Sequence, residues 1–315
     1  MSRLPSSSPG REPSRLAART NLLACSEPRE GLPAGEPLRA GTARGPLRLY
    51  DAHNHLQDER LAPGREAILE TVQKEGVVRM VVNGSCEEDW PAVLALAQSC
   101  PRVIPSFGYH PWYVKERTPD WREVLIRFLG QVPSAVGEIG LDRWIKDYDL
   151  EQQEEVFIWQ LRLAAERNLP VSIHCLQAWG RLLELLRVEP RPRCGFVLHS
   201  FGGPQEMIAP LAELGAYFSL PGYFAHERKA PQREAFRHVP AERLLIETDA
   251  PDQLLPEERV RYPLRDAVSG KTLNHPGNLS AVYAFASELL EVPVEALAER
   301  VEGNFLRLFG RLLPA

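Results

Sequence analysis

The stretch Asp51-Ala52-His53-Asn54-His55 sets two imidazoles two residues apart, directly behind a short apolar run. On a strand, alternate side chains share a face, so His53 and His55 point the same way, roughly 6.5–7 Å apart along the chain. Two neutral imidazoles at that spacing can converge on one metal ion, although a strand end with two unrelated surface histidines has the same spelling. The choice depends on whether other ligand types fall at equivalent places. Glu138 in AVGEIGL, His174 in VSIHC, His199 in VLHS and Asp249 in IETD each lie within or just after a similar short run.

Eight such runs can be read as strands: 48–53, 77–83, 103–110, 134–141, 171–175, 195–200, 216–220 and 244–249. Helical patterns separate them, among them 65–75, 88–99, 121–130, 150–168, 178–186 and 204–214. In 150–168 the apolar positions Val156, Phe157, Leu161, Ala164 and Ala165 form a helical stripe, interrupted by Gln160. Strands alternating with helices imply right-handed βαβ units and a parallel sheet, and eight units in about 260 residues predict an α/β fold of the (β/α)8 TIM-barrel type. An open doubly wound sheet would require a Gly-rich first turn, and DAHNHLQDERLAPG offers none of the G-x-G-x-x-G kind.

Chemistry in such a barrel sits at the C-terminal ends of the strands, which brings His53, His55, Glu138, His174, His199 and Asp249 to one rim. Four imidazoles and two carboxylates suit a borderline cation rather than an all-oxygen calcium site. Six ligands exceed the needs of one tetrahedral zinc. Two divalent ions (Zn, Mg or Mn) about 3.5–4 Å apart, bridged by Glu138, would use them all.

The segments DAHNHL, GYHPWYV, AVGEIGLDR, EQQEEVFIWQLRLAAERNLPVSIHC, VLHSFGG, IETDAP and NHPGNL, in that order, resemble the TatD family of metal-dependent hydrolases in the amidohydrolase superfamily. The resemblance runs from Leu49 to the closing VEGNFLRLFG. It implies a divalent-metal-dependent hydrolase with deoxyribonuclease or exonuclease activity. By motif, it implies that His53, His55 and Asp249 hold one ion, that His174 and His199 hold the second, and that Glu138 bridges. Asp249 and Glu138 are the catalytic candidates, with Asp249 taking or relaying the proton of an activated water.

Other positions are candidates of a weaker kind. His110 in GYHP can contact substrate or simply bond to loop backbone, and Arg143, Lys271 and His275 are further candidate substrate contacts. Asp142 can orient a ligand histidine or cap the following helix. The turn HSFGGP, 199–204, can cradle a phosphate or serve as an ordinary strand-to-helix turn. Trp112, Tyr113 and Trp144 can stack on bases or lid the barrel.

Two departures from the family pattern bear on substrate. Leu176 and Gln177 replace an Arg-Asp pair after His174, and SGKTLNHP keeps Lys271 but lacks the arginines of the corresponding family loop. Asp252, after ETDAP, adds a carboxylate where a polyanion would approach.

Residues 1–48 hold eight arginines and four glutamates among Pro, Ser and Gly, without sustained periodicity. Such a segment cannot bury enough apolar surface to offset its ordering entropy, so it is read as a disordered extension ahead of a single domain at 49–315. It lacks the apolar core of a secretory signal. Its net charge of +4, within a total of −5, leaves −9 on the remainder. A body of that charge does not grip long nucleic acid through a broad basic face, so bound cations must supply much of the positive charge at a phosphate site.

Five scattered cysteines without a C-x-x-C pair fit reduced thiols in the cytoplasm, and no apolar run is long enough to span a membrane. A small or single-stranded nucleic-acid substrate is expected, with no membrane association and no obligate protein partner. Two alternatives stand beside the phosphodiesterase reading. One is a metal-dependent carboxyester or amide hydrolase, including the aminoacyl-tRNA deacylase type, and the other a non-catalytic scaffold with structural metal.

Overall fold

The computed structural model describes residues 47–313. Residues 1–46 of the expected extension, Cys25 included, lie outside the described residues. Leu47 already packs against the core, and Arg48 Nε donates to Glu302 Oε1 at 3.0 Å, so the folded unit reaches back past the expected boundary.

Eight parallel strands pair in chain order: β1 (Leu49–Asn54), β2 (Val77–Asn83), β3 (Val103–Phe107), β4 (Ala135–Asp142), β5 (Val171–Leu176), β6 (Phe196–Leu198), β7 (Ala216–Pro221) and β8 (Leu244–Glu247). The helices between them are α1 (Arg65–Lys74), α2 (Trp90–Ser99), α3 (Trp121–Leu129), α4 (Leu150–Arg167), α5 (Trp179–Val188), α6 (Ile208–Glu213) and α7 (Ala230–Phe236). Two more, α8 (Leu279–Leu290) and α9 (Val294–Phe309), pack beside β1 and β8. Every residue of β1, β3, β4, β7 and β8 is buried, as expected for strands covered on both faces.

The barrel is nearly closed between β8 and β1, and the closing bonds come from the residues expected to do chemistry. Asp249 N donates to His53 O at 3.0 Å and His55 N to Ala250 O at 2.7 Å. Lower in the seam, the Asp51 carboxylate accepts from Thr248 N and Thr248 Oγ1.

Strand ends differ from the expected runs. β3, β6 and β8 stop at Phe107, Leu198 and Glu247, so His110, His199 and Asp249 lie just beyond the ladder. Ser200 and Asp249 take positive φ of 44° and 52°, in the left-handed region. The expected helix at 204–214 is a 3-10 turn at Gln205–Met207 followed by the short α6. A two-stranded hairpin, β9 (Pro263–Arg265) with β10 (Thr272–Asn274), follows β8.

The glycines of AVGEIGL permit close approach of β4 to β5. A Cβ on Gly140 would stand 1.9 Å from His174 O, and one on Gly137 would stand 2.8 Å from Ser172 Cβ. Gln160, the polar break in the α4 stripe, is fully buried and holds the loop after β3: it accepts from Tyr109 N at 2.7 Å and donates to Tyr109 O at 3.2 Å. Gln153, seven residues earlier on α4, grips Asp142 N and O at 2.8 and 2.9 Å. The two amides thereby fix the backbone next to His110 and at the end of β4. An apolar residue in either place would leave two buried backbone groups unpaired, each costing about 1–3 kcal/mol.

Candidate metal centre

Glu138 projects from the middle of β4 and is almost fully buried. Its two oxygens face different partners. Oε2 lies 3.2 Å from both His53 Nε2 and His55 Nε2. Oε1 lies 3.0 Å from His174 Nδ1, 2.8 Å from His199 Nε2 and 3.4 Å from His110 Nε2. Asp249 Oδ1 completes the first group, 3.6 Å from His53 Nε2 and 3.5 Å from His55 Nε2. The six residues expected at the rim therefore meet in one cluster, with a carboxylate between two imidazole pairs.

The outward ring atoms are held by different groups. His55 Nδ1 donates to Asn83 O at 2.8 Å and His174 Nε2 to Asp142 Oδ2 at 2.8 Å, which turns the other nitrogen of each ring inward. His53 Nδ1 bonds to Ser172 Oγ at 2.8 Å, and its ring stacks on that of His199 at 4.0 Å. His199 Nδ1 faces Glu247 Oε1 at 3.7 Å. Glu247 is itself anchored by Ser200 N, Ser200 Oγ and Ser219 Oγ.

The donor set fits divalent cations. His53 Nε2 and His55 Nε2 are 3.3 Å apart, and His174 Nδ1 and His199 Nε2 are 3.2 Å apart. Lone pairs that converge this closely repel unless a proton or cation lies between them, and imidazole nitrogen with carboxylate oxygen suits a borderline divalent metal. Both His53–His55–Asp249 and His110–Glu138–His174 form groups able to hold an ion.

Protonation follows from burial and neighbours. Burial pushes His53 down to about 4 and His110 down to about 4, so both rings are neutral at pH 7. Burial works downward most strongly at His55 too, but the bond to Glu138, the charges of Glu138 and Asp249 and the bond to Asn83 together push the ring up to about 9. At Glu138 burial opposes ionisation, yet the rings of His199, His110 and His53 hold the carboxyl well below the usual range. Burial raises Asp249 to about 7 against the pull of His199 and His55.

The cluster forms part of a wide cavity of about 1760 Å³ at the C-terminal end of the barrel. His110 lines it: Nδ1 accepts from Trp112 N at 3.2 Å, so the ring proton sits on Nε2 and points at Glu138. The other candidate substrate contacts, Arg143, Lys271 and His275, lie outside the lining. Arg143 stacks over Tyr148, and Lys271 is exposed beside the turn of the β9–β10 hairpin. His275 caps the 3-10 turn Pro276–Asn278 by accepting from Gly277 N at 2.8 Å.

Asp142 orients the candidate ligand His174 and holds the turn after β4, whereas the cap of the following helix α4 is Asp149, whose side chain accepts from Gln152 N. One Asp142 oxygen holds His174 and accepts from Trp112 Nε1 at 2.8 Å, and the other accepts from Trp144 N and Ile145 N. Trp112 and Trp144 stack at 6.4 Å on the cavity wall, 44% and 61% exposed. In the HSFGGP turn the Ser200 N–H goes to Glu247, which removes it from any phosphate cradle. Ser172 and Glu247 were missed in the sequence. Each stands two residues before a ligand candidate, so strand alternation points at both.

Fold and centre together define a metal-dependent hydrolase on a TIM barrel. The chain belongs to the family described as TatD related DNase, whose model matches residues 50–310. It is 29% identical over 266 residues to the uncharacterized metal-dependent hydrolase YjjV of Escherichia coli K12, covering 84% of this chain and 98% of that one. It is 31% identical over 266 residues to the 3'-5' ssDNA/RNA exonuclease TatD of Enterobacter lignolyticus, covering 83% and 99%. The crystal structure of E. coli K12 YjjV superposes with a TM-score of 0.75 at 29% identity, covering 84% of this chain and 98% of that one. Among the described residues, no helix is long and apolar enough to cross a membrane.

Proposed function

We propose that the chain hydrolyses phosphodiester bonds in single-stranded nucleic acid, with two divalent cations held by His53, His55 and Asp249 on one side and His174 and His199 on the other. The observation that supports this most is the Glu138 carboxylate, which offers one oxygen to each imidazole pair on the floor of the cavity. The phosphodiester assignment draws on the relatives named 3'-5' ssDNA/RNA exonuclease. The free thiols Cys86, Cys100, Cys175 and Cys194 favour the cytoplasm as its compartment.

Bound cations would supply Lewis acidity, lowering the pKa of water and offsetting charge on a phosphoryl group. The protein supplies the rest. Asp249 presents Oδ1 toward the histidines while Oδ2 accepts from Gln253 Nε2 at 2.7 Å, an orientation that lets Oδ1 take the proton of the attacking water. The water oxygen bonds to phosphorus, the bond to the leaving oxygen breaks, and that oxygen gains a proton. Trp112 and Trp144 offer a stacked surface for bases near the centre. Eight carboxylates line the cavity against four arginine or lysine side chains, so cation charge is needed before a phosphate is attracted.

The test is shortening of end-labelled single-stranded DNA with Mg²⁺ or Mn²⁺, in the wild type and in Asp249→Asn, with EDTA as control. Stepwise shortening that is lost in the variant is expected. Intact DNA alongside turnover of a carboxyester or amide would replace this reading by the ester-hydrolase alternative.

A further inference from the structure

Arg60 stands on the cavity wall where the loops after β1 and β8 meet. A guanidinium has two edges that grip a pair of oxygens side by side, and these edges match carboxylate and phosphate alike. Both edges of Arg60 are taken. Nε and Nη2 donate to Asp58 Oδ1 and Oδ2 at 2.9 and 2.7 Å. Nη1 and Nη2 donate to Asp252 Oδ1 and Oδ2 at 3.0 and 2.7 Å.

The two carboxylates differ in what else they do. Asp58 also accepts from Arg60 N at 2.8 Å and so caps the 3-10 turn Glu59–Gly64, which commits it to local structure. Asp252 makes no comparable local bond among the described residues, and its side chain is 61% exposed. One cation between two anions leaves the spot net negative, on a wall already richer in carboxylates than in basic groups.

We propose that Asp252 is a specificity-determining residue: it occupies the outer edge of Arg60, the edge a substrate phosphate would take, and so disfavours long polyanionic strands relative to short phosphodiesters. The assignment rests on the phosphodiester reading above. A phosphate beyond the scissile one must displace Asp252 to reach Arg60, whereas a short substrate has no such phosphate and is not affected.

The experiment measures Kd by fluorescence anisotropy on the protein as purified. The probes are a non-hydrolysable phosphorothioate oligo-dT of about twelve nucleotides and a labelled dinucleotide of the same linkage. Asp252→Ala is expected to tighten the long probe about five- to tenfold while moving the short one less than about twofold. Its log Kd should also depend more steeply on log salt, by about 0.7 for one recovered phosphate contact. Arg60→Gln alone should change little, because Arg60 is occupied already, and the double variant should lose the gain. Asp252→Asn, which keeps shape without charge, should recover part of it, and thermal melting checks that every variant is folded.

Equal affinity of Asp252→Ala and wild type for the long probe would overturn the assignment. So would a gain that survives in the double variant, since that is a general field effect and not a freed Arg60. If the wild type shortens DNA and Asp252→Ala binds no tighter, only the role of Asp252 falls. If no variant binds either probe and DNA stays intact, the phosphodiester reading falls with it.

Discussion

At the floor of the cavity, six titratable side chains come from five strands or the residues just after them, and the outward nitrogens of three of the four histidines are hydrogen-bonded to protein. At its mouth, the stacked indoles of Trp112 and Trp144 and the Arg60 ion pairs sit on loops after β1, β3, β4 and β8. The floor is buried and each group there depends on several neighbours, so a small displacement is costly. The mouth is partly solvated, where ion pairs contribute little to stability and side chains can exchange partners. The comparison teaches that the candidate centre is built into the barrel, while the surface around it belongs to loops that can change without disturbing it.

The largest effect should come from the bridge. Glu138→Gln keeps the volume but removes the charge shared by both imidazole pairs, and it should lower kcat by about a thousandfold or more and reduce the bound metal. Metal content by mass spectrometry, measured beside kcat, is the check. Full metal occupancy in that variant would show that the floor is less interdependent than described.

Asp142→Asn acts one layer out. It weakens the hold on His174 and should cost about 10–100-fold in metal affinity or activity. A similar loss in Trp112→Phe, which removes the indole N–H but leaves the histidine alone, would shift the role of Asp142 from the floor to the mouth.

Metal binding should also release protons. With its pKa pushed up to about 9, His55 carries a proton at pH 7, and a cation must displace it. Apparent affinity should therefore rise with pH, about tenfold per unit below that value for one proton, and level off above it. Calorimetry in buffers of different ionisation enthalpy reads the proton count, and zero release at pH 7 would contradict the protonation described here.

The smallest effects belong to the mouth. Trp144→Ala should raise KM for a single-stranded oligonucleotide by about five- to tenfold with little change in kcat, the size of one lost stacking contact. Lys271→Ala, outside the cavity lining, should change neither parameter by more than about twofold. A kcat loss in Trp144→Ala comparable to that of Asp142→Asn would erase the division between floor and mouth.

Eight β-branched runs separated by helical stripes were enough to indicate the barrel, because burial on both faces forces a recognisable apolar pattern. The site was legible for a related reason: in a parallel barrel all strands point the same way, so His53, His55, Glu138, His174, His199 and Asp249 must share one rim. Gln160 shows the limit, since it reads as a flaw in the α4 stripe and is in fact the clamp on Tyr109 beside His110. Its partners lie 51 residues away.

Loop residues were not legible in the same way. Arg143, Lys271 and His275 have the charge and neighbourhood of substrate contacts in the sequence, yet all three lie outside the cavity lining, and Arg143 and His275 have local partners. Asp252 and Arg60 are 192 residues apart and nothing local announces their pairing. The sequence by itself determined the strands, their common direction and the ligand types they deliver, because periodicity and alternation are local properties. Only the tertiary structure decided which ring nitrogen turns inward, how Glu138 divides its oxygens and that Arg60 at the mouth is held by both Asp58 and Asp252, because these depend on partners brought together by barrel closure.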